Sequence, residues 1–222
     1  MNVELRMVLG TPNVGVHVLA TETYAFVPET VSETFVAVLE KVLNVTAYKI
    51  SISRVFGVIA VASSSGIVVS SLVKDESLKE LKQPDINVTR LKNKFYALGN
   101  TILANDNGII FSPLIDSDSK RLIKDTLGIS GTYHQSKIGN SNLVGSVARA
   151  TNKGVLVSPL ATEEELLRIK NTLQVSNIDV GTINRGMEFI SSGLIANTYG
   201  AICGKDTTGI ELMKITEVLF GH

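Results

Sequence analysis

Cysteine is almost absent from this 222-residue sequence: Cys203 stands alone, which excludes an internal disulfide framework. A single thiol is typical of a reducing compartment, so we expect a cytoplasmic protein. Long hydrophobic runs are missing as well. No run approaches the roughly 20 residues that a membrane-spanning helix needs, and residues 1–9 lack the apolar core of a signal peptide. We therefore expect no membrane partner.

Net charge is also absent, because lysine and arginine number 21 and aspartate and glutamate also number 21. Without a global field the chain has no general attraction for DNA or an anionic membrane. Any partner must be recognised by a local surface. We expect a monomer that binds no DNA.

What the sequence does contain is a repeat. Residues 104–113 read ANDNGIIFSP, and residues 150–159 read ATNKGVLVSP. With three fainter copies, the repeat begins at Ala20, Ala62, Ala104, Ala150 and Ala196. The intervals of 42, 42, 46 and 46 residues lie in the range typical of repeat architectures.

Each copy is interpreted as a β-hairpin, because a polar turn that ends in glycine joins two apolar runs. The glycine is expected to supply a positive φ. First strands are predicted over residues 14–19, 56–62, 98–104, 144–150 and 190–196, and second strands over residues 24–27, 67–70, 109–111, 155–157 and 201–203.

A helix is predicted after each hairpin. Ser32 caps the first helix, and Asp116 or Ser117 caps the third, which ends at Gly128. Thr162 and Thr208 each precede a glutamate by three residues, which is the pattern of a capping box. The second helix, over residues 75–81, is the weakest of the five.

Third strands are predicted over residues 48–52 and from residue 86, whereas no third strand follows the last helix. We expect a strand from residues 1–9 to complete the last unit and close a ring without exposed sheet edges. The chain is thus predicted to be one α/β domain, residues 1–222, of five ββαβ units. Their approximate boundaries are 10–52, 53–94, 95–140, 141–186 and 187–222.

Few residues are candidates for chemistry. The glycines of residues 200–204 lack the spacing of a phosphate loop. His17, His134 and His222 are far apart and have no partners at ligand spacing, so we predict no metal, no cofactor and no catalytic residue. Cys203 lies on an apolar strand and is interpreted as a core residue.

A basic stretch follows the second unit. Arg90, Lys92 and Lys94 alternate with Leu91 and Phe95, which predicts three positive charges on one strand face. A solvated face is the simpler interpretation, and a contact with phosphate or an acidic partner is the functional one.

The hairpin turns are the more informative candidates, because a fivefold repeat gathers them on one face. Their amide, carboxylate, ammonium and phenol groups suit docking, although turn formation alone also favours asparagine. The predicted docking residues are Asn105, Asp106, Asn107, Asn152, Lys153, Asn197 and Tyr199.

Several segments resemble one family. GTINRGMEFI at residues 181–190, CGKDTT at 203–208, ALGN at 97–100 and AND at 104–106 resemble translation initiation factor 6, the ribosome anti-association factors of archaea and eukaryotes. The resemblance runs from end to end. The end of the chain lacks the acidic, serine-containing tail of eukaryotic members, which favours an archaeal source. Val58 stands where eukaryotic members often have a basic residue, so that contact is not carried over.

The resemblance implies the pentein fold, with five ββαβ units about a pseudo-fivefold axis. It implies binding to the intersubunit side of the large (50S) ribosomal subunit, next to a ribosomal protein and the sarcin–ricin loop. Bound there, the factor would keep the small (30S) subunit from joining and would act in large-subunit biogenesis. No enzymatic activity is implied.

An enzyme is the alternative. Pentein-fold hydrolases and amidinotransferases act on guanidino compounds with a late cysteine and a histidine, for which Cys203 and His134 are the candidates. Covalent catalysis needs an activated thiolate and an acidic clamp for the guanidinium. The residues around Cys203 match the initiation factor instead, and no paired acidic motif accompanies His134.

Overall fold

The computed structural model describes residues 2–83, 85–92 and 96–221. In chain order the strands are β1 (Asn2–Arg6), β2 (Leu19–Ala20), β3 (Tyr24–Pro28), β4 (Thr46–Ile50), β5 (Ala60–Ala62), β6 (Gly66–Val69), β7 (Asn87–Arg90), β8 (Ile102–Ala104), β9 (Ile109–Phe111), β10 (Tyr133–Gln135), β11 (Ala148–Ala150), β12 (Gly154–Val157), β13 (Asn177–Val180), β14 (Leu194–Ala196) and β15 (Gly200–Gly204). The helices are α1 (Val14–His17), α2 (Glu33–Leu43), α3 (Phe56–Ile59), α4 (Leu98–Thr101), α5 (Ser117–Thr126), α6 (Glu163–Leu173), α7 (Ile190–Gly193) and α8 (Gly209–Phe220), with a 3-10 helix at Asp75–Leu81.

The strands form five three-stranded sheets of one pattern. In each sheet the first strand runs antiparallel to the second, and the third strand lies parallel to the second on its other side. A helix connects the second strand to the third in the first four units. This mixed α/β arrangement of repeated ββαβ units is the pentein fold.

The five first strands form a closed ring at the centre of the molecule. Each packs on the first strand of the next unit, and β14 of the last unit packs on β2 of the first. Four helices lie outside this ring and cover the second strand of the preceding unit, as α2 covers β15 and α6 covers β9. Apolar side chains from neighbouring units therefore share each core, and Ile195 and Ile202 pack in one cluster with Leu39 and Leu43.

The fifth sheet contains both ends of the chain. β1 pairs in parallel with β15, from Asn2 opposite Gly200 to Arg6 opposite Gly204. Val3 and Leu5 contribute to the apolar cluster of the fifth unit. The strand that is first in sequence thus covers the edge of the sheet that is last in sequence.

The predicted helix starts are confirmed. Ser32 accepts a hydrogen bond from the Phe35 amide, and Asp116 accepts one from the Ser119 amide. Thr162 and Thr208 form capping boxes with their glutamates. These predictions succeed because capping depends on residues within one turn of helix.

The predicted first strands are wrong in their first halves. Helical turns occupy Val14–His17, Phe56–Ile59, Leu98–Thr101 and Ile190–Gly193, and a non-helical turn occupies 144–146. The runs at Val14–His17 and Phe56–Ile59 are short and mostly apolar, which by periodicity alone is compatible with a strand or a buried helix. The turns stack around the ring axis so closely that a Cβ atom on Gly57 would lie 2.1 Å from the carbonyl oxygen of Gly15.

The expected role of the hairpin glycines is also wrong. Gly108 and Gly154 are not among the residues with positive φ. A Cβ atom at Gly108 would lie 2.0 Å from the carbonyl oxygen of Thr172, and one at Gly154 would lie 2.1 Å from that of Val218. Glycine is needed there because the last turn of the next unit's helix presses against the hairpin.

The basic stretch does not form one charged strand face. β7 ends at Arg90, so Lys92 lies beyond the strand. The Arg90 guanidinium donates to the carbonyl oxygen of Val73 and forms an ion pair with Asp75 at 3.0 Å. Lys94 and Phe95 lie outside the described residues, as does His222.

Candidate functional site

The hairpin turns lie together at one end of the ring, which we name the hairpin face. It comprises residues 21–23, 63–65, 105–107, 151–153 and 197–199. The helical turns lie at the opposite end, because each precedes the first strand whereas the hairpin follows it. All seven predicted docking residues therefore belong to the hairpin face.

The first residue of every turn is buried: Thr21, Ser63, Asn105, Thr151 and Asn197. The Asn105 amide nitrogen donates to the carbonyl oxygens of Thr151 and Leu173 in the next unit, at 3.0 and 2.9 Å. Its side-chain oxygen accepts from the backbone amides of Asn107 and Gly108. These hydrogen bonds engage both the amide nitrogen and the amide oxygen of the buried Asn105 side chain within the protein.

Asn197 repeats this arrangement between the last unit and the first. Its amide nitrogen donates to the carbonyl oxygens of Thr21 and Leu43 at 3.1 and 2.8 Å, and its side-chain oxygen accepts from the backbone amides of Tyr199 and Gly200. Asn105 and Asn197 therefore hold neighbouring units together and support the face from below.

The second residue of every turn belongs to a half-buried polar network that spans all five units. Glu22 accepts hydrogen bonds from Thr198, both main chain and side chain, and from the Asn152 backbone. Asn152 and Asp106 exchange two hydrogen bonds of 2.8 and 3.0 Å. Asp106 also accepts from the backbone and hydroxyl of Ser64. Two carboxylates thus lie at the centre of the face in fixed positions.

The third residue of every turn projects furthest. Thr23, Ser65, Lys153 and Tyr199 are exposed, and Asn107 is half-buried. The Tyr199 side chain is 54% exposed, and Lys153 forms no ion pair with the described residues. The face can therefore offer a partner an aromatic ring, an ammonium group and a pair of carboxylates on a rigid frame.

An arginine lies beneath the face on the ring axis. Units one, two, three and five have an apolar residue at the same position of the first strand: Leu19, Val61, Leu103 and Ile195. Unit four has Arg149 at this position. The Arg149 guanidinium donates to the carbonyl oxygens of Ala20 and Ala196, and its buried Nε has no partner among the described residues. Burial lowers its pKa to about 10, although the charge of Glu22 acts to raise it. Arg149 lines an axial cavity of about 80 Å³.

The sequence prediction missed Glu22, Ser64, Thr198 and Arg149. The signal was present in the repeat itself, since adding the same offset to each repeat alanine gives residues 22, 64, 106, 152 and 198. Only Asp106 and Asn152 among these five positions are in the predicted set of docking residues. Their hydrogen bonds join residues of different units, which no single hairpin reveals.

The residues of the alternative enzyme do not form a site. Cys203 on β15 is fully buried, and His134 lies on β10 of a different sheet. Burial raises the pKa of the Cys203 thiol to about 12, and the charge of Glu211 acts in the same direction. A neutral, inaccessible thiol is a poor nucleophile. Burial lowers the pKa of His134, as does the nearby Arg168.

Within the described residues, no three His, Cys, Asp or Glu side chains are grouped to hold a metal ion. In the same part of the chain, no helix is long and apolar enough to cross a bilayer.

The chain is similar to known proteins over nearly its whole length. The eIF-6 family model matches residues 4–218. Translation initiation factor 6 from Cenarchaeum symbiosum is 43% identical over 213 residues, which is 95% of each chain. The proteins of the same name from Saccharolobus solfataricus and Pyrobaculum aerophilum are 38% and 31% identical, over 99% and 96% of each chain.

The chain is also similar, at low identity, to two solved structures. The N-terminal domain of ArgZ, an arginine dihydrolase from cyanobacteria, has a TM-score of 0.48 at 11% identity, over 88% of this chain and 73% of that chain. A dimethylarginine dimethylaminohydrolase has a TM-score of 0.47 at 13% identity, over 81% of this chain and 69% of that chain. Similarity at this level carries no argument about activity.

Proposed function

The chain belongs to the eIF-6 family, and from this premise we propose that it binds the large (50S) ribosomal subunit and prevents association with the small (30S) subunit. The proposal includes a role in large-subunit biogenesis. The contact would lie on the intersubunit side, with a ribosomal protein near the sarcin–ricin loop. The factor would act as a cytoplasmic monomer and without enzymatic activity.

The hairpin face is the surface that we propose for this contact. The observation that carries the proposal is the fixed network of Glu22, Asp106 and Asn152, with the exposed Tyr199 and Lys153 beside it. Carboxylates held at the centre of a face favour a basic protein surface, and a ribosomal protein of the RNA-rich subunit is expected to offer one. A docking face of this kind needs no high net positive charge.

The seven predicted residues take different parts in this proposal. Asn107, Asn152, Lys153 and Tyr199, together with Asp106, would contact the subunit. Asn105 and Asn197 would support them, since their amides are engaged by neighbouring units. Tyr199 is the expected anchor, because exposed aromatic side chains often dominate the binding energy of an interface.

Co-sedimentation with purified 50S subunits tests the proposal. Tyr199→Ala and the charge neutralisation Glu22→Gln should each weaken binding by about tenfold or more. Tyr133→Ala is the matched control, because Tyr133 is 50% exposed on the outer side of the ring. The unchanged chain should also suppress 50S–30S association in light scattering. Binding of both hairpin variants at the level of Tyr133→Ala would refute the assignment of the face.

A further inference from the structure

The end of the ring opposite the hairpin face has a different chemistry. Around the axis, the helical turns enclose a bowl of about 350 Å³, and we name this end the bowl face. Val16, Val58, Leu143, Met187 and Phe189 supply its apolar lining. A concave, mostly apolar cavity of this volume lies at the small end of the range for binding pockets.

Apolar side chains continue beyond the bowl. Val55, Leu143 and Phe189 on its rim are 39%, 37% and 41% exposed. An outer set follows the second strands of three consecutive units, where Leu72, Leu114 and Leu160 are 59%, 46% and 61% exposed. The apolar surface thus extends over units two to five. It is wider than a small metabolite would cover, which favours a macromolecular occupant.

Cations surround this apolar surface. Four cations, Arg54 and Lys92 in unit two, Lys137 in unit three and Arg185 in unit four, are exposed and lie close in sequence to the rim. None of them forms an ion pair with another described residue.

The carboxylates at this end are mostly engaged. Glu80, Glu165 and Glu211 accept hydrogen bonds from the backbone amides of Ser51, Gly139 and Gly186. Hydrogen bonds from Thr208, Gly186 and Thr182 lower the pKa of Glu211, although burial, the largest influence, acts to raise it. The four cations are therefore unpaired, and the carboxylates at this end that are not engaged include the half-buried Glu188 and the exposed Glu29 and Asp206, which follow the second strands of units one and five.

We propose that the bowl face binds a short protein segment whose apolar anchor side chains enter the bowl and whose flanking carboxylates meet Arg54, Lys92, Lys137 and Arg185. Apolar anchors in a pocket with complementary charges at the rim are the usual design of such contacts. A second copy of this chain is a poorer occupant, because a twofold contact would bring the same cations together. The site is independent of the proposed ribosome contact, which lies at the other end of the axis.

A selection experiment tests the chemistry of the occupant directly. The full chain is immobilised and used to select from a random library of displayed peptides about 12 residues long. A parallel selection uses the Leu143→Ser/Phe189→Ser variant, and a third uses Tyr133→Ser/Leu167→Ser, whose targets are 50% and 60% exposed on the outer side. We expect peptides with aromatic or aliphatic anchors next to aspartate or glutamate. They should be enriched on the unchanged chain and the outer-side variant and lost on the bowl variant.

A synthetic peptide with the selected consensus is then measured by fluorescence anisotropy. Arg54→Glu/Arg185→Glu should weaken its binding by about tenfold, whereas Lys41→Glu/Arg121→Glu, a matched reversal on exposed helix positions, should leave it unchanged. Thermal melting of each variant separates loss of binding from loss of folding.

Three results would overturn the proposal. The first is a selection in which no peptide is enriched on the unchanged chain and lost on the Leu143→Ser/Phe189→Ser variant. The second is a consensus of the selected peptides that contains basic residues instead of aspartate or glutamate. The third is self-association of the unchanged chain in analytical ultracentrifugation that the bowl variant abolishes. Co-sedimentation with 50S subunits is expected to be unaffected by the bowl variant, so that failure here and failure of the proposed function are separate observations.

Discussion

The side-chain amide nitrogen of Asn197 lies 3.1 Å from the carbonyl oxygen of Thr21, although the two residues are 176 positions apart in the chain. The same nitrogen reaches the carbonyl oxygen of Leu43 at 2.8 Å. One buried side chain therefore joins the fifth unit to both the hairpin and the helix of the first.

Replacing Asn197 with alanine should lower the free energy of unfolding by about 3 kcal/mol, because buried backbone groups lose their partners. Urea denaturation measures this change. Tyr199→Ala, two residues away and exposed, should remain within about 0.5 kcal/mol of the unchanged chain. Equal stability of the two variants would mean that the contact between the fifth unit and the first does not depend on the Asn197 amide.

The axial glycines give a matched pair of substitutions. Gly99→Ala would place a Cβ atom 2.0 Å from the carbonyl oxygen of Gly57. Overpacking against backbone should lower stability by about 3 kcal/mol or more. Gly209→Ala meets no atom within 4 Å at the start of α8 and should be neutral or stabilising by up to about 1 kcal/mol. Differential scanning calorimetry compares them, and a Gly99→Ala protein that melts like Gly209→Ala would contradict the close packing.

The N-terminal strand should contribute to the stability of the whole ring. Deleting residues 2–6 exposes the edge of β15 and removes the apolar contacts of Val3 and Leu5, so we expect a loss of several kcal/mol or failure to fold. Leu5→Ala is the milder variant and should cost about 2 kcal/mol. Glu4→Ala is its control, because the Glu4 side chain is 42% exposed. Indistinguishable melting curves for Leu5→Ala and Glu4→Ala would argue against this role.

The Cys203 thiol should be unreactive in the folded protein. Its pKa is raised to about 12, so the thiolate is scarce at neutral pH, and burial blocks access. Labelling by a thiol reagent at pH 8 should become rapid only after unfolding in urea. Because the pKa of this thiol is higher in the folded chain than its ordinary value of 9.0, the thiol contributes to stability fully below pH 9. The contribution is lost as the pH rises toward 12. Cys203→Ala should lack this part of the alkaline loss.

The Cys203 thiol also allows a test between the initiation-factor hypothesis and the enzyme hypothesis. We expect no hydrolysis of arginine analogues by the unchanged chain. Turnover that disappears in Cys203→Ser would instead favour the hydrolase alternative. This assay is independent of ribosome binding.

Much of the fold follows from short-range chemistry in the sequence. The spacing of the repeat alanines reveals the number of units, and the capping boxes at Thr162 and Thr208 act within one helical turn. The residues at Val14–His17 were misassigned because a short apolar run has no decisive period. Their helical conformation depends on contact with the helical turns of other units at the axis.

The sequence predicts that the hairpin turns share one face, but it does not predict which of their side chains are buried and which are exposed. Asparagine favours a turn whether its side chain points inward or outward, so only the carbonyl groups of the next unit explain why Asn105 is buried. Arg149 was missed because nothing local distinguishes a buried arginine from an exposed one. The unit boundaries and the docking residues stay predictions.

The pairing of β1 with β15 has a consequence for the order of events during synthesis. The strand made first finds its partner only when residues 200–204 have left the ribosome tunnel. Until then the fifth sheet is unfinished and the ring stays open, with β1 unpaired and aggregation-prone edges exposed. Closure of the ring therefore waits for the synthesis of β15.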